Sequence, residues 1–125
     1  MKAKASKLLL VALAAVMLLG CFGCQSEAAD NSLNYIKENG KLIMGLDDSF
    51  PPMGFRDEKN EIVGFDVDIA KEVTSRMGVE LVLQPIDWKA KEMELKNKNV
   101  DVLWNGFTIT EERKQELTFS EPYMY

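Results

Sequence analysis

The pattern of apolar and polar positions divides the chain into a leader and a folded part. Leu8–Gly20 (LLLVALAAVMLLG) is thirteen residues without a charge, and Lys2, Lys4 and Lys7 precede it with no acid. A basic segment followed by a short apolar run has the form of a secretory signal. A permanent span needs about 20 apolar residues, so this run is too short for that role. FGCQSEAADNS is small, polar and aperiodic, the pattern of a flexible tether. Order is expected from Ser32, where SLNYIKENG predicts one or two helical turns stopped by Gly40. KLIMGL (Lys41–Leu46) is a short apolar run and predicts a buried strand. DDSFPP breaks it, since Pro51 and Pro52 exclude helix and demand a turn or extended chain.

MGFRDEKNEIVGF (Met53–Phe65) reads as a small hairpin with its turn in DEKNE. DVDIAKEVTSRMG (Asp66–Gly78) carries the clearest helical period. Ile69, Val73 and Met77 recur four apart, Ala70 widens the stripe, Asp66 is placed to cap, and Gly78 follows the end. VELVLQPI (Val79–Ile86) predicts a strand, and DWKAKEMELKNKN a charged helix with Met93 and Leu95 on a narrow apolar face. VDVLWNG (Val100–Gly106) predicts a strand, TEERKQEL a short helix capped by Thr110, and TFSEPYMY an extended end. Strands alternating with helices give an α/β class with a largely parallel sheet.

The length of 125 residues suits one domain. The whole chain has 15 basic and 20 acidic residues; without residues 1–20 the balance is 12 to 20, a net −8. So acidic a surface is a poor partner for a phosphate backbone, which argues against nucleic acid. The leader ends in LLGC (Leu18–Cys21), which resembles the lipobox of bacterial lipoproteins. That resemblance implies a lipid (diacylglycerol, palmitate) on Cys21 as the first mature residue. Cys24 would then be a lone thiol, and no disulfide framework is expected. The chain holds no His, so a Ser-His-Asp triad, a Cys-His pair and a Cys/His zinc set are excluded. Asp66/Asp68 and Glu111/Glu112 are paired carboxylates, but both pairs fall at helix starts. No catalytic residues, metal ligands or cofactors are expected.

In open α/β sheets, ligands collect at the carboxyl ends of the strands. DDSFPP, PIDW and NGFTIT each follow a predicted strand, so one edge should gather Asp47, Phe50, Trp88, Asn105, Gly106, Thr108 and Arg113. A strand end feeding a helix start leaves backbone N–H groups that attract anions. Gly106 allows close approach, Thr108 adds a hydroxyl, and the planar Arg113 guanidinium suits a carboxylate. Phe50 and Trp88 are candidate aromatic walls, and Asp47 a candidate for an amine or amide. A phosphate would also fit, although no Gly-rich P-loop with its Lys is present. Each residue also has a plainer role: Arg113 as a solvated helix arginine, Thr110 as a cap, Trp104 as core, Asp47 and Asp48 as turn chemistry. Spacing by itself supports an α/β domain with an anion site.

Three blocks carry a resemblance to the polar amino-acid-binding proteins of ABC importers. LDDSFPPMGFRDEKNEIVGFDVDIAKEV (Leu46–Val73) resembles the family's D-x-x-aromatic-x-P and G-F-D-x-D pattern. LQPIDWKAKEMELKNKNVDVLW (Leu83–Trp104) follows. NGFTITEERKQELTFSEPY (Asn105–Tyr123) resembles its G-x-T/S-I-T-x-x-R and F-S/T-x-P-Y signature. The resemblance implies a type II periplasmic-binding-protein-like lobe over 32–125, behind a signal at 1–20 and a tether at 21–31. The complete family protein has two hinged lobes that close on one amino acid. The resemblance further implies Arg113 as clamp for the α-carboxylate, Thr108 and Gly106 beside it, Asp47 and Phe50 on the ligand's amine or side chain, and Trp88 as a wall. Met53 and Gly54 stand where an aromatic often follows the prolines; Trp104 and Asn105 replace smaller residues. The family's second lobe and return segment fall beyond Tyr125, so this portion is expected to bind weakly or not at all by itself. The implied partners are a free L-amino acid, permease subunits and the membrane through the lipid anchor, with no nucleic acid and a monomeric state. The implied place is outside the cytoplasmic membrane. The competing expectations are an enzyme on the same fold, of the cyclohexadienyl dehydratase kind, and a receptor's sensing domain.

Overall fold

A computed structural model describes residues 30–125. The predicted signal, Cys21 and nearly all of the predicted tether lie outside the described residues. The described part begins with helix α1 (Ser32–Asn39), closed by Gly40 in the left-handed region at φ 70°, whose N–H reaches back to the Ile36 and Lys37 carbonyls. This turn delivers the chain into β1 (Lys41–Leu46). β1 is the centre of a three-stranded parallel sheet with β5 (Glu80–Pro85) and β6 (Val102–Leu103), in the order β5-β1-β6. The register runs from Lys41 opposite Glu80 to Leu46 opposite Pro85, and sets Met44 and Gly45 opposite Val102 and Leu103. A central parallel strand is covered on both faces, which is why KLIMGL is an almost unbroken apolar run.

Met44, Leu46, Val67 and Ala70 form the buried core, with Ile62, Leu81, Leu83, Val102 and Trp104 packed on it. Gly45 is fixed by space. A Cβ there would lie 3.1 Å from both Val100 methyls and 3.2 Å from Leu103 Cδ2. β6 is shorter than the predicted Val100–Gly106, although Asp101 N–H to Ile43 O (2.8 Å) and Trp104 N–H to Gly45 O (3.1 Å) continue the pairing.

The predicted hairpin is present and gains a strand. β2 (Ser49–Phe50), β3 (Gly54–Arg56) and β4 (Ile62–Val63) form a small antiparallel sheet. Its turn is held by Asp57, whose carboxylate accepts the Lys59 and Glu61 N–H groups at 2.9 and 2.8 Å. Arg56 pairs with Asp48 at 2.6 Å and ties the hairpin back to the end of β1.

Helix α2 (Phe65–Met77) departs from expectation in two respects. Its N-cap is Gly64, at φ 136°, not Asp66; a Cβ at Gly64 would collide with the Pro52 and Met53 carbonyls. Asp66 lies inside the first turn and is fully buried. The buried face is Val67, Ala70 and Thr74, while Ile69, Val73 and Met77 are only partly covered. Thr74 can enter the core because its hydroxyl donates to the Ala70 carbonyl at 2.9 Å.

The predicted charged helix is a 3-10 turn (Trp88–Ala90) followed by α3 (Lys91–Lys96). Asp87 caps the turn by accepting the Lys89 N–H at 3.0 Å. Met93 is exposed and belongs to no apolar face. Helix α4 (Glu111–Lys114) starts at Thr110, whose hydroxyl accepts the Arg113 N–H at 3.3 Å, as expected of a cap. The remainder to Tyr125 has no regular structure.

Candidate ligand-binding site

Because β1, β5 and β6 are parallel, their carboxyl ends share one edge of the sheet. Two bonds bind that edge together. Asp47 N–H donates to Asn105 Oδ1 at 2.9 Å, and Ile86 N–H to Leu46 O at 3.0 Å. Asn105 is 4 % exposed, and its side-chain oxygen is spent on the junction between β1 and β6. Its Nδ2 has no hydrogen-bond partner among the described residues. Asp47 behaves partly as turn chemistry: its Oδ1 accepts both the Ser49 N–H (2.9 Å) and hydroxyl (2.6 Å).

Phe50 and Gly106 meet. A Cβ on Gly106 would stand 3.6 Å from Phe50 Cε1 and 3.6 Å from Met53 Cγ, and Gly106 has φ 60°. The left-handed backbone favours glycine here, while a Cβ would make only ordinary contact with Phe50 and Met53. Met53 fills the flank where the resemblance led us to expect an aromatic. Phe50 is half-exposed on this edge.

Trp88 and Arg113 are joined through a ring the sequence reading passed over. Phe107 meets Trp88 edge-to-face at 5.4 Å and Phe119 at 5.5 Å. The Arg113 guanidinium lies 4.7 Å over the same ring and donates to the Thr108 carbonyl at 2.7 Å. Arg113 is thus held by the backbone of the loop it was expected to serve, and this bond uses one of five N–H donors. Thr108 is exposed and contributes this carbonyl. Phe107 was legible only as the one large apolar residue between Gly106 and Thr108.

A second unforeseen group lies behind the edge. The Tyr123 hydroxyl donates to the buried Asp66 Oδ1 at 2.7 Å, and its ring packs against Trp104 at 6.1 Å. Trp104 packs on the core as expected. Burial pushes the Tyr123 hydroxyl up to about 12, and the Asp66 carboxylate adds to the rise. The phenol therefore stays a neutral donor at physiological pH. No sequence pattern announced this pair, 57 residues apart.

One edge thus offers a guanidinium, a glycine loop and aromatic surface, the chemistry of a small carboxylate-bearing ligand. Residues 42–125 match the profile of the bacterial extracellular solute-binding proteins, family 3. The chain belongs to that family. The L-cystine-binding protein TcyJ of Escherichia coli K12 is 36% identical over 114 residues, covering 91% of this chain and 43% of TcyJ. A family 3 chain of this length thus spans under half of such a relative. The cyclohexadienyl dehydratase of Pseudomonas aeruginosa is 30% identical over 121 residues, covering 97% of this chain and 44% of the enzyme. Among solved structures, an ABC uptake transporter substrate-binding protein from Streptococcus pneumoniae with bound histidine superposes with a TM-score of 0.73 at 38% identity. That match covers 77% of this chain and 39% of the other. The arginine-bound domain 1 of TmArgBP, from T. maritima ArgBP, matches at 48% identity and a TM-score of 0.69, covering 71% of each chain. The expected α/β class and the family 3 resemblance are both borne out, with the chain matching one portion of a type II periplasmic-binding-protein fold.

Proposed function

We propose that this chain is the amino-acid-capturing part of an ABC importer, working outside the cytoplasmic membrane. In this reading residues 1–20 direct export, Cys21 carries the lipid that holds the protein at the membrane, and 21–31 tether the lobe that begins at 32. The α-carboxylate of a free L-amino acid sits on the Arg113 guanidinium and the Gly106 loop. Phe50 and Trp88 flank its body, Thr108 and Asn105 set the loop, and Asp47 faces the amine. The protein acts as a monomer and passes its amino acid to permease subunits.

The observation that carries this reading is the placement of Arg113. Its guanidinium is already ordered by Thr108 and Phe107 at the edge where three strands end. An ordered planar fork loses less freedom on binding a carboxylate than a mobile one. The amino-acid-binding relatives support the ligand class. The arginine-bound single domain of TmArgBP supports capture by one lobe without a second. A lobe of this kind by itself binds weakly, and closure of a second lobe adds the rest.

Calorimetry with the common L-amino acids and L-cystine tests the reading. Saturable heat from at least one of them is expected, and the matching amine without its carboxyl group should give none. Absence of heat and of thermal stabilisation for every compound would overturn it. An enzyme of the dehydratase kind would instead turn its ligand over, so recovery of the bound compound unchanged separates the two.

A further inference from the structure

We propose that Phe107 is the positioning residue of this edge: its ring fixes the plane of the Arg113 guanidinium and thereby sets how tightly a ligand carboxylate is held. This rests on the amino-acid reading above and deepens it. Arg113 stands in a four-residue helix, Glu111–Lys114, followed by chain without regular structure. So short a helix is marginal by itself and does little to order a long side chain. Two groups outside the helix hold the guanidinium. The Thr108 carbonyl accepts from Nη1 at 2.7 Å, and the Phe107 ring centre lies 4.7 Å from Cζ. A single hydrogen bond leaves the planar cation free to turn about it. An aromatic face against that plane removes the freedom.

A ring holds the cation at no cost in donors. Thr108 takes one of the five guanidinium N–H groups, and a stacked ring takes none, so the rest stay available to a carboxylate. Phe107 is itself fixed. It meets Trp88 at 5.4 Å with an interplanar angle of 75°, and Phe119 at 5.5 Å. The Lys91 ammonium stands 5.4 Å from the Phe107 ring centre and donates to Trp88 O at 3.2 Å. One ring therefore joins the Trp88 wall to the Arg113 clamp, and its backbone continues the Gly106 loop. A leucine fills much of the same space but lacks the negative face that attracts a cation. The property assigned to Phe107 is thus its π face, and bulk alone does not replace it.

The test uses the whole chain as wild type, Phe107→Leu and Phe107→Tyr, with circular dichroism to establish folding. The common L-amino acids are titrated calorimetrically into the wild type, and the tightest binder is then titrated into both variants. Phe107→Leu should weaken it about three- to tenfold, whereas Phe107→Tyr, which keeps the ring, should stay within about twofold of the wild type. A second reading needs no ligand. In proton NMR spectra the Arg113 side-chain resonances should lie upfield in the wild type and Phe107→Tyr, because they sit over a ring, and return to ordinary positions in Phe107→Leu. Unchanged affinity in folded Phe107→Leu, or an equal loss in both variants, would overturn the assignment while leaving the amino-acid reading intact. So would ordinary Arg113 resonances in the wild type. If Phe107→Leu fails to fold, the wild-type resonances and the Phe107→Tyr affinity decide. No binding of any member by the wild type would take down the amino-acid reading itself, and this assignment with it.

Discussion

Two residues show how much single positions decide. Gly106 holds φ 60° with Phe50 and Met53 against it. Gly106→Val should destabilise the fold by about 1–2 kcal/mol through its left-handed backbone alone, read as a lowered midpoint in urea. Tyr123 supplies the Asp66 carboxylate with its hydrogen bond, so Tyr123→Phe strands a buried acceptor. The cost should be about 1–3 kcal/mol, toward the low end because Tyr123 is 44% exposed. The same tyrosine predicts a pH limb. Its hydroxyl titrates near 10 when unfolded and about 12 when folded, so the folded state favours the protonated phenol. That contribution is complete below pH 10 and is lost as pH rises from 10 to 12. Urea midpoints across this window should fall in the wild type and fall less in Tyr123→Phe. At this scale the sequence was legible where local chemistry decides. Thr110 as cap and Gly40 as stop follow from neighbours within one turn. The roles of Asp66, Phe107 and Asn105 were hidden because their partners are set by tertiary packing.

Among elements, the strand β1 was readable to the residue, because a central parallel strand must be apolar on both faces and DDSFPP must end it. β6 was over-read: the apolar run continues, but ladder geometry is regular only at Val102–Leu103. The α2 stripe was misjudged by one face, since Ile69/Val73/Met77 and Val67/Ala70/Thr74 both obey helical spacing. What selected the second was the Gly64 start against the Pro52 and Met53 carbonyls, which turns Asp66 inward to Tyr123. The tight β1–β6 contact makes its own prediction. Gly45→Ala pushes a methyl to 3.1 Å from the Val100 methyls and 3.2 Å from Leu103 Cδ2. Overpacking of that kind should cost about 1–3 kcal/mol, seen as a lower thermal midpoint.

For the whole molecule, the edge of the sheet joins residues that the chain keeps far apart: Phe50, Trp88, Gly106 and Arg113. Topology alone placed them on one side, since parallel strands end together. The loops between them were not readable at atomic scale, because side chains such as Lys91 and Phe107 take their positions from one another. The leader makes an independent prediction. In a bacterial host, Cys21→Ala should abolish incorporation of labelled palmitate and release the protein from the membrane fraction; incorporation undiminished in the variant would contradict a lipid at Cys21. The central claim, that this edge clamps an amino-acid carboxylate through Arg113, is tested most directly by one calorimetric comparison. The tightest-binding L-amino acid is titrated into the wild type and into Arg113→Ala, with circular dichroism confirming that both are folded. Loss of about 1.5–3 kcal/mol of binding free energy in Arg113→Ala is the predicted result. Equal affinity in the two proteins would make Arg113 a surface residue and contradict the account.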